Sequence, residues 1–162
     1  MAAADYFLKI DGIEGESKAD KHTGEIDIES FSFGATQSGS FATGGGGGSG
    51  KVSMQDFHFT MGINKASPAL FLACAQGDHI PKAVLTCRKA GKEQQEFQKV
   101  TMSDVLVSSY QTGASGHGDI LPTDQISINF AKIEIEYKEQ QKTGGLGGSV
   151  KKFFDLKSVK GG

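Results

Sequence analysis

The 162-residue sequence predicts a mainly β fold, an antiparallel β-barrel of two curled sheets with one flanking α-helix at about residues 67–77. Three observations carry that prediction. Apolar residues recur with a period of two through most of the chain, the mark of half-buried strands. One segment alone has helical character with both a start and a stop signal. Glycine is abundant, 23 residues against 3 prolines, and clusters between the strand-like runs. That composition supplies turns without making a proline-rich linker.

The elements follow in order. Tyr6–Ile10 reads as the first strand. Ile26 and Ile28 alternate with Asp27 and Glu29, then Phe31 and Phe33 alternate with Ser32 and Gly34. Val52 and Met54 precede Phe57, Phe59 and Met61, which alternate with His58 and Thr60. The helix follows: Ser67 suits the N-cap and Pro68 the first helical position, where a missing N–H costs nothing. Gly77 suits the left-handed residue beyond the end. Leu70, Phe71 and Cys74 fall on one face of this helix. Further strands are Lys82–Lys89, Gln95–Met102 and Val105–Tyr110, with a hairpin turn at Lys89-Ala90-Gly91-Lys92. The last are Ile126/Ile128/Phe130, Ile133/Ile135/Tyr137 and Val150–Leu156.

The alternation changes phase within three runs: between Ile28 and Phe31, between Met54 and Phe57, and between Phe130 and Ile133. A β-bulge turns the following side chains to the other face. A strand buried on different faces along its length has the same signature. The organisation is a single domain, 1–162, with a Gly-rich loop at 39–51 and a Gly-rich, basic segment at 143–162.

Charge narrows the function. The net charge is −2, and Arg88 is the one arginine, so the chain lacks the arginine-bearing basic stripe of a nucleic-acid binder. Residues 138–162 carry six lysines against Glu139 and Asp155, while the remainder is net acidic. The N-terminus has no basic region before an apolar stretch, so no secretory signal is expected. The longest apolar run, about Pro68 to Ala75, is far short of the ~20 residues that span a bilayer, so no membrane insertion is expected. Cys74 and Cys87 have neither redox nor zinc spacing and read as reduced, buried thiols.

No catalytic, cofactor or metal site emerges. Gly45-Gly46-Gly47-Gly48-Ser49-Gly50-Lys51 fits G-x-x-x-x-G-K, but Val52 stands where magnesium binding needs Ser or Thr, and a strand follows instead of a helix. Ser115, His117 and Asp119 lie on one Gly-rich loop, whereas a triad converges from separate elements. His22, His58, His79 and His117 have no metal-binding spacing, and Glu134 and Glu136 read as solvent-facing alternates. The positive signal is a face of small polar residues, Ser30, Ser32 and Gly34 opposite Phe31 and Phe33, continued by Thr36, Ser38 and Ser40. Such a face suits an aqueous channel wall or a weak cargo surface.

An ordered set of segments carries a family resemblance. They are Tyr6-Phe7-Leu8-Lys9-Ile10 with Gly15-Glu16-Ser17, and Glu25-Ile26-Asp27-Ile28 with Phe31-Ser32-Phe33-Gly34. Gln37-Ser38-Gly39-Ser40, Gly50-Lys51-Val52, Ser67-Pro68, Ala73-Cys74, Gly77 and Arg88-Lys89-Ala90-Gly91 follow. Val105-Leu106-Val107-Ser108-Ser109, Asn129-Phe130-Ala131 and Tyr137 complete it. With these the chain resembles the haemolysin-coregulated protein (Hcp) family, tube subunits of the bacterial type VI secretion system, from about residue 4 to 158. It departs from that family in having no Trp where relatives often carry one, at the positions of Phe31 and Phe33.

The resemblance implies a non-enzymatic structural subunit. Six copies form a ring, and rings stack into a tube propelled by a contractile sheath and tipped by a valine–glycine-repeat spike protein. Effector proteins ride in the lumen, and the subunit passes from the cytoplasm to the exterior without a signal peptide. Gly39, Gly44, Gly45, Gly46, Gly47, Gly48 and Lys51 would then form ring or stacking contacts, as would Lys89, Gly91 and Lys157. Ser30 and Ser32 would face the lumen. The rival readings are a monomeric β-barrel ligand-binding module, which needs a pocket and no ring, and a hydrolase built on Ser115, His117 and Asp119.

Overall fold

A computed structural model describes residues 4–39, 51–91, 94–118, 121–140 and 146–162. In chain order the elements are β1 (Ala4–Ile10), β2 (Ile26–Ile28), β3 (Ser30–Ser32), β4 (Ala35–Gln37), β5 (Val52–Met54), β6 (Phe57–Gly62) and α1 (Ala66–Gln76). Then come β7 (Ile80–Lys89), β8 (Glu96–Gly113), β9 (Thr123–Gln140), β10 (Leu146–Asp155) and β11 (Lys160–Gly161). All strand pairings are antiparallel. The mainly β architecture with one helix is therefore the one the alternation predicts.

The main sheet has nine strands in the order β11-β10-β9-β8-β7-β1-β2, with β3 joined to β9 through β6. β9 pairs with β8 over most of its length. Its other edge is shared: β6 pairs with residues 123–128, and β10 with residues 132–140. β2 and β3 are separated by Glu29 alone, whose N–H donates to the Thr60 carbonyl at 2.8 Å. One bent segment thus links β1 to β6 and curls the sheet around its core. Leu8, Ile26, Phe57, Phe59, Met61, Leu70, Leu85, Val100, Met102 and Ile128 fill that core. Phe31 extends it, T-shaped to Tyr6 at 5.2 Å and stacked on Phe57 at 5.8 Å.

The phase changes have causes other than bulges. At Glu29 the chain exchanges partners, since β2 pairs with β1 and β3 with β6. Between Met54 and Phe57 it leaves the separate β4–β5 ribbon for the main sheet. On β9 the register to β8 is unbroken from Val105↔Phe130 to Gln98↔Tyr137. Burial nevertheless passes from Phe130 to Ile133 on β9, and from Val105 to Met102 on β8. Both strands therefore change face together, at Asp104 and Ala131. Asp104 has φ of +54°, a left-handed conformation that reverses the alternation. The register shifts fall elsewhere, at Cys87/Arg88, Val107/Ser109 and Leu146/Ser149.

Three contacts hold the turnover point. The Leu156 N–H donates to the Ala131 carbonyl at 2.8 Å. His79 Nε2 lies 2.9 Å from Asp104 Oδ1, and Lys157 Nζ lies 3.3 Å from Asp104 Oδ2. The hydrogen bond from His79, then that from Lys157, keeps the Asp104 carboxyl below the usual carboxylate range.

The helix differs in detail from the sequence expectation. It begins at Ala66, and Ser67 is not its N-cap. The Asn64 side-chain oxygen accepts the Ala66 N–H at 2.8 Å instead. Ser67 is buried in the first turn, accepts the Asn64 N–H at 3.1 Å and donates to Asp124 at 2.5 Å. Tyr110 OH also donates to Asp124, at 3.1 Å. Pro68 is the third helical residue, still within the first turn where its missing N–H is harmless. Gly77 adopts φ of +65° just past the end, where a Cβ would strain. The buried face is Ala66, Ser67, Leu70 and Ala73, while Phe71 is exposed edge-on to Tyr110 at 6.0 Å. Because 69–75 is apolar all round, periodicity alone does not select a face.

Both cysteines are free thiols, Cys87 buried and Cys74 half-buried. Burial pushes the Cys87 thiol up to about 11. Its retained proton stabilises the fold below pH 9, and that contribution is lost as pH rises toward 11. Denaturation between pH 8.5 and 11 should show a flatter loss of stability in Cys87→Ala than in the parent. Asp104→Ala removes the carboxylate that His79 and Lys157 hold and should lower the urea midpoint. Asp104→Asn, whose side chain tolerates the left-handed conformation, should lower it less.

Candidate functional site

The small polar residues form a continuous sheet face. Cross-strand register places Ser32 (β3), His58 (β6), Ser127 (β9) and Ser109 (β8) in one row. Ser30, Thr60, Gln125 and Gln111 form the next. The opposite pleat face of the same strands holds Phe57, Phe59, Ile126, Ile128 and Val107, all buried. The surface is thus the outer side of a well-packed wall. It is shallowly concave, enclosing about 460 Å³.

Its groups satisfy one another. Ser30 Oγ and Thr60 Oγ1 lie 2.6 Å apart, and His58 Nδ1 and Ser127 Oγ 2.5 Å. Asp56, at the rim, accepts from Ser108 Oγ at 2.6 Å and from Asn129 Nδ2 at 2.9 Å. Ser108 is the extra residue at the Val107/Ser109 shift, so the bulge supplies one of the donors that hold this carboxylate. The two rows carry no Lys, Arg, Asp or Glu side chain. Such a surface is wet and hydrogen-bonding without strong attraction for either sign of charge.

Catalysis finds no support here. His58 and Ser127 are in contact, but Asp56 is engaged by Ser108 and Asn129 rather than orienting the imidazole. Ser115 accepts the His117 N–H at 3.4 Å within a turn, and Asp119 lies outside the described residues. Glu134 and Glu136 pair with Lys151 at 3.9 and 3.3 Å, on a salt-bridged face. Among the described residues no group of three or more His, Cys, Asp and Glu is placed to hold a metal. A wider depression, about 1,100 Å³ beside β1, is lined by both signs of charge, and Lys65 and Glu14 approach to 3.5 Å there.

The other candidate residues are dispersed. Ser30 and Ser32 lie exposed on the polar face. Gly39 and Lys51 lie just beyond the paired residues of β4 and β5, where the Lys51 N–H donates to Ser38 Oγ at 3.2 Å. Gly44, Gly45, Gly46, Gly47 and Gly48 lie outside the described residues. Lys89 leads into the turn: its N–H donates to the Gln95 carbonyl at 2.8 Å, its ammonium reaches Gln140, and Gly91 has φ of +139°. Lys157 is engaged by Asp104. Sequence reading missed His58, Thr60, Gln111, Gln125 and Ser127 as members of the face. Their alternation with buried residues was visible, but which strands adjoin was not.

Comparison with known proteins decides the family. The family model described as "Type VI secretion system effector, Hcp" matches residues 7–137. The chain belongs to the Hcp family of the type VI secretion system. It is 47% identical over 157 residues to Protein hcp1 of Pseudomonas aeruginosa, covering 96% of each chain. The fold is similar to that of Hcp1 from Salmonella typhimurium, with a TM-score of 0.80, 35% identity and 99% of both chains covered. A structure described as a type six secretion system protein gives a TM-score of 0.91 at 30% identity, covering 99% of this chain and 100% of that one. Hcp is a structural, secreted tube-protein family and not an enzyme family.

The polar face should be free of folding duties. Ser32→Ala is expected to change unfolding free energy by no more than about 0.5 kcal/mol, as for exposed sites away from special features. Chemical denaturation checks this.

Proposed function

We propose that this Hcp chain is a tube subunit that assembles into six-membered rings, with the Ser30/Ser32 face turned to the central hole. The observation that carries the reading is the pair of uncharged polar rows across β3, β6, β9 and β8. A passage wall must stay hydrated and must not trap cargo of either charge. A hydrogen-bonding surface without free charges meets both needs, and its shallow concavity suits the inside of a ring.

In this reading the rings stack, a contractile sheath drives the stack outward behind a valine–glycine-repeat spike, and effectors travel in the lumen. The subunit waits in the cytoplasm and leaves without a cleaved signal. The β4–β5 ribbon, with Gly39 and Lys51 just beyond its paired residues, reaches toward a neighbour or the next ring. The Lys89–Gly91 turn and the C-terminal segment around Lys157 serve the stacking faces. A two-stranded ribbon is marginally stable alone in water, so a partner surface that holds it is physically apt. Stacking contacts that are polar and modest in area permit the tube to come apart after delivery.

Native mass of the purified protein at micromolar concentration, with negative-stain images of the same sample, tests this. A six-subunit mass and open-centred rings are expected. A monomer at every concentration would overturn the ring reading and favour a solitary barrel.

A further inference from the structure

Charge is sorted to the two ends of the strand order. Residues 1–29, which form the β1–β2 end, carry eight acidic side chains against three lysines. The β10–β11 end, residues 146–162, carries four lysines against one acid. Internal ion pairs use part of each set: Asp5 meets Arg88, Glu25 meets His22, and Lys151 and Lys157 meet their acids within the subunit. Lys152 and Lys160 at one end, and Glu16, Asp27 and Glu29 at the other, have no ion pair among the described residues. All five are exposed.

Each end also exposes apolar surface beside these charges. Glu16, Asp27 and Glu29 line one depression of about 270 Å³ together with Ile63, which is 45% exposed. Burial, then the neighbouring Asp5, raises the Asp27 carboxyl above its ordinary range. At the basic end, Val150 pairs with Tyr137 and Lys152 with Ile135. Val150 is 62% exposed and Tyr137 50%. Register makes this the same face as buried Leu8, Leu85 and Val100, so an apolar core surface runs out past its cover. The reverse face of this ribbon is salt-bridged through Glu136 and Lys151, as a solvated face should be.

We propose that the Val150/Lys152 face of the β10–β11 end of one subunit docks on the Glu16/Asp27/Glu29 depression of a second copy, as the lateral contact of the ring. The inference rests on the ring reading above. The two surfaces complement each other and not themselves. Their contact is therefore heterologous, the type that propagates around a ring until it closes. Aliphatic area supplies attraction, and the lysine–carboxylate pairs fix register and exclude like-charged pairings.

Two variants test it, Lys152→Glu alone, and Glu16→Lys with Glu29→Lys. Circular dichroism and thermal melts confirm folding, and Lys152→Gln with Glu29→Gln substitutes if a charge reversal does not fold. Each reversed variant should fall from a six-subunit to a one-subunit mass, and an equal mixture of the two should regain the six-subunit mass by alternating. The neutral variant should weaken ring formation at least tenfold in concentration. Parent rings with variants that still close overturn the docking inference, as do variants that lose only stacking or fail to recover on mixing. A parent that forms no rings overturns the ring reading itself, so the two failures are distinguishable.

Discussion

The long β8–β9 ribbon has to bury one pleat face in half of its length and the other face in the rest. Everything else in the fold is arranged around that requirement. Near residues 126–130 the core side of β9 is Ile126, Ile128 and Phe130, while near 133 it is Ile133. A regular ribbon cannot do this, since alternation is strict. The matched irregularity at Asp104 and Ala131 solves the problem without changing register. Because both strands turn over together, the pairing resumes in the same register on either side. The left-handed Asp104 is held by His79 from the α1–β7 connection and by Lys157 from the chain end. Two distant segments thus converge on one strained backbone position.

This turnover sets which surfaces the molecule shows. Below it, the outward side chains of β8 and β9 join β3 and β6 in the uncharged polar face. Above it, the outward side chains are Glu134, Glu136 and Lys138, which ion pair with one another or with Lys151 across β10. One ribbon therefore presents a neutral hydrated wall and a charged solvated wall. The polar wall is where a lumen is proposed, and the apolar side of the charged half is where a neighbour is proposed to dock. The buried Asp124, bound by Ser67 and Tyr110, ties α1 to the same ribbon. The helix braces the sheet rather than presenting a functional group.

Much of the fold was legible in local pattern. Phe57, Phe59 and Met61 alternate with His58 and Thr60, and both the strand and its buried side follow. Gly77 marked the helix end because a left-handed residue without Cβ closes it cheaply. The helix start was less legible. Ser67 has the chemistry of a cap, but a tertiary partner, Asp124, claims its hydroxyl, and the Asn64 side chain accepts the Ala66 N–H instead. Spacing puts Phe71 on one face with Leu70 and Cys74, but an all-apolar helix has no unique buried face, and Phe71 lies exposed against Tyr110. The polar face was half visible: Ser30 and Ser32 stood out beside two phenylalanines, while Gln111, Gln125 and Ser127 join them only through cross-strand pairing.

Amino-acid order alone determined the strand periods, the single helix, the absence of a catalytic constellation, and the ordered segments that mark an Hcp-type chain. These are properties of neighbours within a few residues, and short-range sterics and burial period write them directly into the sequence. Tertiary structure decided which strands lie side by side. Hence it decided that serines, a histidine, a threonine and glutamines from four strands form one surface. It also decided that the phase change at 130–133 is a shared turnover and not a bulge, because that distinction lives in the register between β8 and β9. Likewise, the basic and acidic segments become opposite ends of one strand order through long-range pairing alone. No local window contains either end's partner, so no local signal could announce it.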